Sequence, residues 1–230
     1  LLDKYQINDS ITTIYPNNYS NNGKVAYIQE NKIITVENLL EFLLIYSAND
    51  AAYIAALAVS DSVDGFIKLM NERAKSLNMI NTNFVNPDGI DDENHYTTLN
   101  DLLKLSIFTI NNKELISILS KSKFLSDATG EEKIFSNTNL LIDEGYRGIK
   151  TGWTDKAGLT FIGFNQENNR QIITIVNKSI VDENRYNHFS DTKLLYAISI
   201  DTFMNQILID KDTNIYKIRN SYKTYNYKAK

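Results

Sequence analysis

Apolar residues recur at helical spacing in the part of the chain that follows Thr35. Leucines stand there at Leu39, Leu40, Leu43 and Leu44, so that pairs of them are three or four positions apart. Thr35 is a residue type that caps helix N-termini, and Glu37 would lie in the first helical turn. We therefore predict one helix over residues 36–46 and, after a polar break at residues 47–50, a second one over residues 51–59.

Both helical and strand-like periodicities continue along the rest of the chain. Helices are predicted over residues 63–77, 99–110, 113–119 and 185–204, and the second of these has Thr98 and Asp101 in a capping arrangement. Strands are predicted at residues 123–125, 132–135, 159–164 and 171–176, and the last two are joined into a hairpin by a polar loop at 165–170.

This order of elements favours an α+β fold in which helices cover an antiparallel sheet. We assign residues 1–204 to that layered domain. Residues 205–230 are interpreted as a C-terminal extension whose strands would begin a β-rich second domain.

Composition narrows the function classes. The 230 residues are 43% hydrophobic, which is enough for one substantial core, and the net charge of −4 comes without a long basic run, so no nucleic-acid partner is expected. The chain has no cysteine, which excludes disulfides and a cysteine nucleophile. His95 and His188 lie far apart, and the acidic residues 88–93 lack the pattern of a calcium loop. We therefore predict no metal and no cofactor, and a solvated loop at residues 88–93.

Two triplets carry candidate chemistry. Lys150-Thr151-Gly152 precedes an apolar strand, where an ammonium and a hydroxyl can hold a carboxylate and the glycine can admit a substrate backbone. Ser47-Ala48-Asn49 stands about a hundred residues earlier, at a helix break. Either triplet alone is weak evidence, because Lys-Thr-Gly is typical of a turn before a strand and Ser and Asn commonly cap helices. Together they match two of the three signatures of the penicillin-binding serine acyl-transferases.

The residues around both triplets resemble one family in particular. Residues 46–52 and 148–158 resemble the second and third motifs of the D-alanyl-D-alanine carboxypeptidases, the low-molecular-mass penicillin-binding proteins. Residues 70–92 and 95–102 are similar to the same family, so that the likeness covers residues 36–197. The resemblance implies a β-lactamase/transpeptidase-like layered domain.

The resemblance also implies roles and partners. Ser47 would relay protons, Asn49 would bind a substrate amide, and Lys150 with Thr151 would hold a terminal carboxylate. Gly152 and Trp153 would line the strand edge that the substrate pairs with. The expected ligands are peptidoglycan pentapeptides and β-lactams. The expected location is extracytoplasmic, in the cell envelope, with peripheral membrane association through segments outside this chain.

One departure from the family is serious. Its nucleophile lies in a Ser-x-x-Lys motif before the second motif, and residues 1–46 contain no such sequence. Ser120 and Ser190 each have Lys three positions later, but in the wrong order for the family. Residues 1–14 resemble the stretch that follows the first motif. We therefore expect a chain that begins just downstream of the nucleophile, without the N-terminal part of its domain.

Three functions remain open. The first is a serine-type D-Ala-D-Ala carboxypeptidase, seen as a fragment that is inactive alone. The second is a non-catalytic relative that binds peptidoglycan or a protein partner. The third is a class A β-lactamase-like hydrolase, which ranks below the others because residues 81–96 resemble the carboxypeptidases and offer no deacylating Glu loop.

Overall fold

The computed structural model describes residues 1–167, 170–181, 183, 185–202, 214–219 and 224–228. The chain divides into two compact units, Leu1–Tyr196 and Ala197–Lys230. The predicted boundary between residues 204 and 205 lies outside the described residues. Within the second unit, β8 (Asn214–Arg219) and β9 (Thr224–Lys228) pair antiparallel.

The first predicted helix changes type before it ends. Helix α1 (Val36–Glu41) begins at Thr35, whose hydroxyl accepts a hydrogen bond from the Asn38 backbone as predicted. It continues as a π-helix (Phe42–Tyr46), whose apolar face is buried through Phe42 and Ile45. Helix α2 (Asn49–Val59) follows, rich in buried alanine. A π-turn within an α-helix often marks a functional position.

The other predicted helices are present with nearly the predicted bounds. They are α3 (Val63–Ser76), α4 (Leu99–Ile110), α5 (Lys113–Leu119) and α6 (Asn187–Thr202). The predicted cap of α4 is confirmed, since the Asp101 backbone N–H donates to the Thr98 hydroxyl at 3.2 Å. Residues 203 and 204 of the predicted last helix lie outside the described residues.

Two short hairpin-like pairs flank the first helices. Strands β1 (Ser10–Thr12) and β2 (Ile33–Thr35) pair antiparallel, as do β3 (Lys123–Ser126) and β4 (Lys133–Ser136). Their inward side chains join α1, the π-helix and α2 in one apolar core, where Phe42 makes edge contacts with Phe124 and Phe135.

A second core lies under the main sheet. Strands β5 (Arg147–Thr154), β6 (Gly158–Glu167) and β7 (Arg170–Ser179) form an antiparallel sheet in that order. The predicted hairpin is confirmed, but its strands are longer than predicted, because pairing continues to Glu167 opposite Arg170. Phe161 of β6 packs with Phe189 of α6 in this core. The expected α+β layering is therefore present.

The π-helix and β5 meet between these two cores. Side chains from the end of the helix and from the sheet edge can therefore converge there. Within the ranges described above, no helix combines the length and the apolar character that crossing a membrane requires.

Candidate active site

Ser47 occupies an unusual backbone conformation at the end of the π-helix. Its φ of 66° and ψ of 46° are left-handed, which is costly for a residue with a Cβ. The backbone N–H groups of Ser47 and Ala48 both donate to the Phe42 carbonyl, and these bonds close the helix. Strain of this kind persists where surrounding contacts enforce it, and it commonly accompanies function. Here it places a half-buried hydroxyl at the junction of helix and sheet.

Asn49 begins α2 and holds a preceding loop. Its backbone N–H donates to the Lys24 carbonyl at 2.7 Å, and its Nδ2 donates to the Asn22 carbonyl at 2.9 Å. Between them Gly23 has φ +64°, and a Cβ there would lie 2.6 Å from Asn49 Nδ2. Glycine is therefore required for this loop to close over Asn49.

Lys150 reaches Ser47 from the sheet. The register of β5 shifts between Arg147 and Lys150, and Lys150 Nζ donates to Ser47 Oγ at 2.7 Å and to the Thr151 carbonyl at 3.0 Å. Burial, followed by repulsion from the Lys24 ammonium, lowers the pKa of Lys150 to about 7. The two sequence triplets thus meet at one hydrogen bond, in which the lysine can exchange a proton near neutral pH.

The other residues of the third triplet have different surroundings. Thr151 Oγ1 lies 2.7 Å from Thr138 Oγ1, and Thr138 is itself tied to the π-helix because its backbone N–H donates to the Ile45 carbonyl at 3.0 Å. If Thr138 donates, the Thr151 hydroxyl hydrogen stays available for a ligand.

Gly152 and Trp153 continue the same strand. A Cβ at Gly152 would lie 2.6 Å from the hydroxyl of its cross-strand partner Thr160, so packing within the sheet already requires glycine. Trp153 is 48% exposed, and the Arg185 guanidinium lies 4.7 Å from its ring centroid. The predicted roles of Gly152 and Trp153 in substrate pairing therefore stay predictions.

The two serines of the misplaced Ser-x-x-Lys matches lie in helical surroundings. Ser120 Oγ donates to the Ile116 carbonyl at 2.7 Å, as helical serines often do. Ser190 lies in α6, and Lys193, three positions later, forms an ion pair with Glu144. A cavity of about 660 Å³ beside Ser120 is lined by neither Ser47 nor Lys150.

The acidic loop is only partly as predicted. Asp91, Asp92 and Glu93 are exposed, but Asp91 accepts a hydrogen bond from Thr154 Oγ1 at 2.7 Å and so ties the loop to the end of β5. Asp88 is half-buried, and burial raises its pKa.

Sequence reasoning missed three residues next to the triplets. Asn22, Lys24 and Thr138 contact Asn49 or Thr151, yet they stand in loops without periodicity or motif. The turn-forming composition around Gly23 was the only available signal, and it indicates a loop without indicating what the loop covers.

Comparison with known proteins points to one family. A sequence model of the D-alanyl-D-alanine carboxypeptidases matches residues 3–179. The match includes most of residues 1–14, whose resemblance to the family was noted in the sequence, as well as the stretch from residue 36 to residue 179. D-alanyl-D-alanine carboxypeptidase DacF of Bacillus subtilis is 32% identical over 163 residues, 67% of this chain. This chain spans only 40% of that relative's length.

Solved structures agree with the sequence comparison. Penicillin-binding protein D2 of Listeria monocytogenes, in its ampicillin-bound form, is 28% identical with a TM-score of 0.70, over 86% of this chain and 79% of that one. D-alanyl-D-alanine carboxypeptidase DacD of Francisella tularensis reaches a TM-score of 0.81 at 20% identity, over 99% of this chain and 69% of that one. At that identity the likeness shows the fold alone.

Proposed function

The chain belongs to the D-alanyl-D-alanine carboxypeptidase family, and on that premise we propose that it carries the substrate-binding half of a serine peptidase site. The substrate is a peptidoglycan stem peptide that ends in D-Ala-D-Ala, and β-lactams compete for the same site. The single observation that supports this proposal best is the 2.7 Å hydrogen bond between Lys150 and Ser47. It joins two motifs 103 positions apart in the sequence.

The binding step uses the charge of Lys150. The terminal carboxylate of the peptide accepts from the Lys150 ammonium and from the Thr151 hydroxyl, which Thr138 orients. A bound carboxylate favours the protonated lysine and therefore raises its pKa again. Asn49, fixed by its contact with Asn22, offers its side-chain oxygen and remaining N–H to the substrate amide.

The chemical step needs a serine nucleophile. In this family a serine oxygen attacks the carbonyl between the two D-alanines, and the leaving amine must gain a proton. Ser47 is placed to relay that proton, because its hydroxyl contacts a lysine with a pKa of about 7. Residues 1–46 provide no Ser-x-x-Lys serine, so we propose that these 230 residues bind without acylation. Acting on peptidoglycan implies an extracytoplasmic location in the cell envelope.

Binding and mass measurements test the proposal together. The 230 residues should bind benzylpenicillin and a diacyl-L-Lys-D-Ala-D-Ala peptide reversibly in calorimetry, and intact mass should not increase. Lys150→Met should weaken binding about 10- to 100-fold, which is the loss of one charge-assisted hydrogen bond. Lys133→Met removes an exposed lysine and should leave affinity unchanged. No saturable binding, or equal loss in both variants, would refute the proposal.

Affinity should also depend on pH. Because the ligand carboxylate needs protonated Lys150, the affinity of the wild-type chain should fall above a pH of about 7. The Lys150→Met variant should show no such decline. A β-lactam adduct on Ser120 or Ser190 would show that the active site is not at Ser47.

The absent nucleophile motif also favours a second function, that of a peptidoglycan-binding relative without peptidase activity. The reading frame upstream of the Leu1 codon discriminates between the two. A Ser-x-x-Lys encoded there would support the peptidase, and a start codon or an unrelated segment would support the binding protein.

A further inference from the structure

Two ammonium groups near the end of the π-helix, those of Lys150 at Ser47 and Lys24 at Tyr46, have no carboxylate partner in the described part of the chain. Lys150 bonds only to a hydroxyl and a carbonyl, and Lys24 has its Nζ 3.9 Å from the centroid of the Tyr46 ring. Neither lysine takes part in a described ion pair. The Lys24 ammonium packs on Tyr46, the neighbour of Ser47 in the chain, and its charge is close enough to contribute to the lowered pKa of Lys150.

The position of Lys24 is built into the fold. Its carbonyl accepts from the Asn49 backbone at 2.7 Å, and Gly23 closes the loop over the Asn49 side chain. Two residues further on, Ala26 donates its backbone N–H to the buried carboxylate of Asp50 at 3.0 Å. Lys24 as a whole is exposed, but desolvation of its ammonium lowers the pKa of that group. The ammonium of a lysine held this way lies on the Tyr46 ring, one residue before Ser47.

The nearby acidic side chains are already engaged. Asp50 is fully buried, and its two oxygens accept from Ala26 and from Ile28, each at 3.0 Å. Glu37 and Glu41, on the helix that leads to Ser47, both bind Lys121. Asp88, in the loop next to Gly23, accepts from the Ile90 backbone and forms no described ion pair. Since no described carboxylate pairs with Lys24 or Lys150, an anionic ligand can supply the compensating charge.

We propose that Lys24 is a specificity-determining residue of the proposed site at Ser47 and Lys150. It makes that site prefer ligands that carry a second carboxylate, beyond the amide that Asn49 binds. The inference rests on the proposed function, in which Lys150 takes the terminal carboxylate. Because the Lys24 carbonyl is bonded to the Asn49 backbone and its ammonium lies on Tyr46, we place the second carboxylate on the amide side of the ligand. The favoured ligand class is a peptide or β-lactam with two negative charges.

Three penicillins provide a matched test. Carbenicillin, benzylpenicillin and ampicillin differ at one side-chain carbon, which bears a carboxylate, a hydrogen or an ammonium. The wild-type chain should bind carbenicillin about three- to fivefold more tightly than benzylpenicillin at low ionic strength, and ampicillin more weakly than either. This preference should shrink at high salt, because exposed charges are screened.

Variants of Lys24 separate charge from shape. Lys24→Met should bring the three affinities within about twofold of one another, while Lys24→Arg should keep the wild-type order. Lys133→Met serves as the charge-matched control and should also keep that order. If Lys24 had only a structural role, the Lys24→Met variant would instead bind all three penicillins more weakly, by the same factor.

The outcomes distinguish this inference from the function on which it rests. Equal binding of all three penicillins by the wild-type chain, or an unchanged preference in Lys24→Met, overturns the role of Lys24 alone. A wild-type chain that binds none of them overturns the proposed function, and the inference falls with it.

Discussion

Lys121 and Lys150 lie against the same helical segment, one near its start and the other at its end, in opposite electrostatic surroundings. Lys121 Nζ lies 2.7 Å from Glu37 and 2.6 Å from Glu41, both on α1. Lys150 reaches Ser47, just past the π-helix, and no carboxylate among the described residues pairs with it. The pKa values diverge accordingly. Burial opposes the charge of Lys121, yet the hydrogen bonds that its ammonium donates to both glutamates raise its pKa, whereas burial lowers the pKa of Lys150 to about 7.

The difference separates a lysine that joins two elements from the lysine that we propose binds the ligand. A lysine that is neutralised inside the chain joins two elements and has little capacity left for a ligand. A lysine that is desolvated without a counter-charge costs folding free energy, and an anionic ligand can return part of that cost on binding. Lys121 directly follows Ser120 in the sequence, whereas the serine that Lys150 contacts lies 103 positions away, so proximity to a serine in the sequence does not tell the two lysines apart correctly.

Lys150 should make the free energy of unfolding depend strongly on pH. Its folded-state pKa lies below the unfolded value of about 10.4, so between those values the unfolded chain binds a proton that the folded chain does not. Stability should therefore rise with pH from 7 upward, by about 2 kcal/mol between pH 7 and 9. Urea denaturation at successive pH values measures this. Tyr15 and Tyr19, whose pKa values burial raises, ionise above this window.

The Lys150→Met variant provides the control for that slope. Methionine keeps most of the length of the side chain and removes the titrating amine, so the rise in the free energy of unfolding between pH 7 and 9 should disappear. A slope that survives in this variant would mean that another group causes it and that Lys150 is not desolvated in solution.

Removing Lys121 should lower the free energy of unfolding without changing its pH dependence. In Lys121→Met, Glu41, which is only 7% exposed, loses its ammonium partner, and we expect a loss of about 1–2 kcal/mol at pH 7. The pKa of Lys121 is raised, so its contribution is present below the unfolded pKa and lost only above the raised value. Between pH 7 and 9 the variant should run parallel to the wild type. If Lys121→Met loses no more free energy of unfolding than Lys133→Met, the contrast between Lys121 and Lys150 would not hold.

Sequence reasoning identified elements whose physics is local. The caps at Thr35 and Thr98 and the helix over 63–77 follow from side-chain chemistry and spacing within a few residues. The fold class followed from the order of those elements. The two triplets were found because a family resemblance links them, although 103 positions separate the residues that meet.

Other features of the site depend on packing between distant segments. The apolar spacing does not distinguish a π-helix at residues 42–46 from an α-helix, nor does it indicate that the segment ends at a left-handed Ser47. Lys24 and Thr138 stand in loops, and their placement comes from hydrogen bonds to Asn49 and to the Ile45 carbonyl. Different tertiary contacts also give Lys121 and Lys150 opposite pKa shifts, which composition alone does not encode.

The smallest expected effect concerns the backbone of Ser47, which positions the hydroxyl that Lys150 contacts. Ser47→Ala keeps the left-handed conformation with a Cβ and loses the hydrogen bond from Lys150. Ser47→Gly loses the same bond but relieves the conformational cost, so it should be about 1 kcal/mol more stable than the alanine variant. Both variants lack the hydroxyl, so the difference between their free energies of unfolding, measured by urea denaturation, reports the backbone conformation alone. Equal stabilities would mean that Ser47 leaves the left-handed region in solution, and the contact that joins the two motifs would then form only when a ligand is bound.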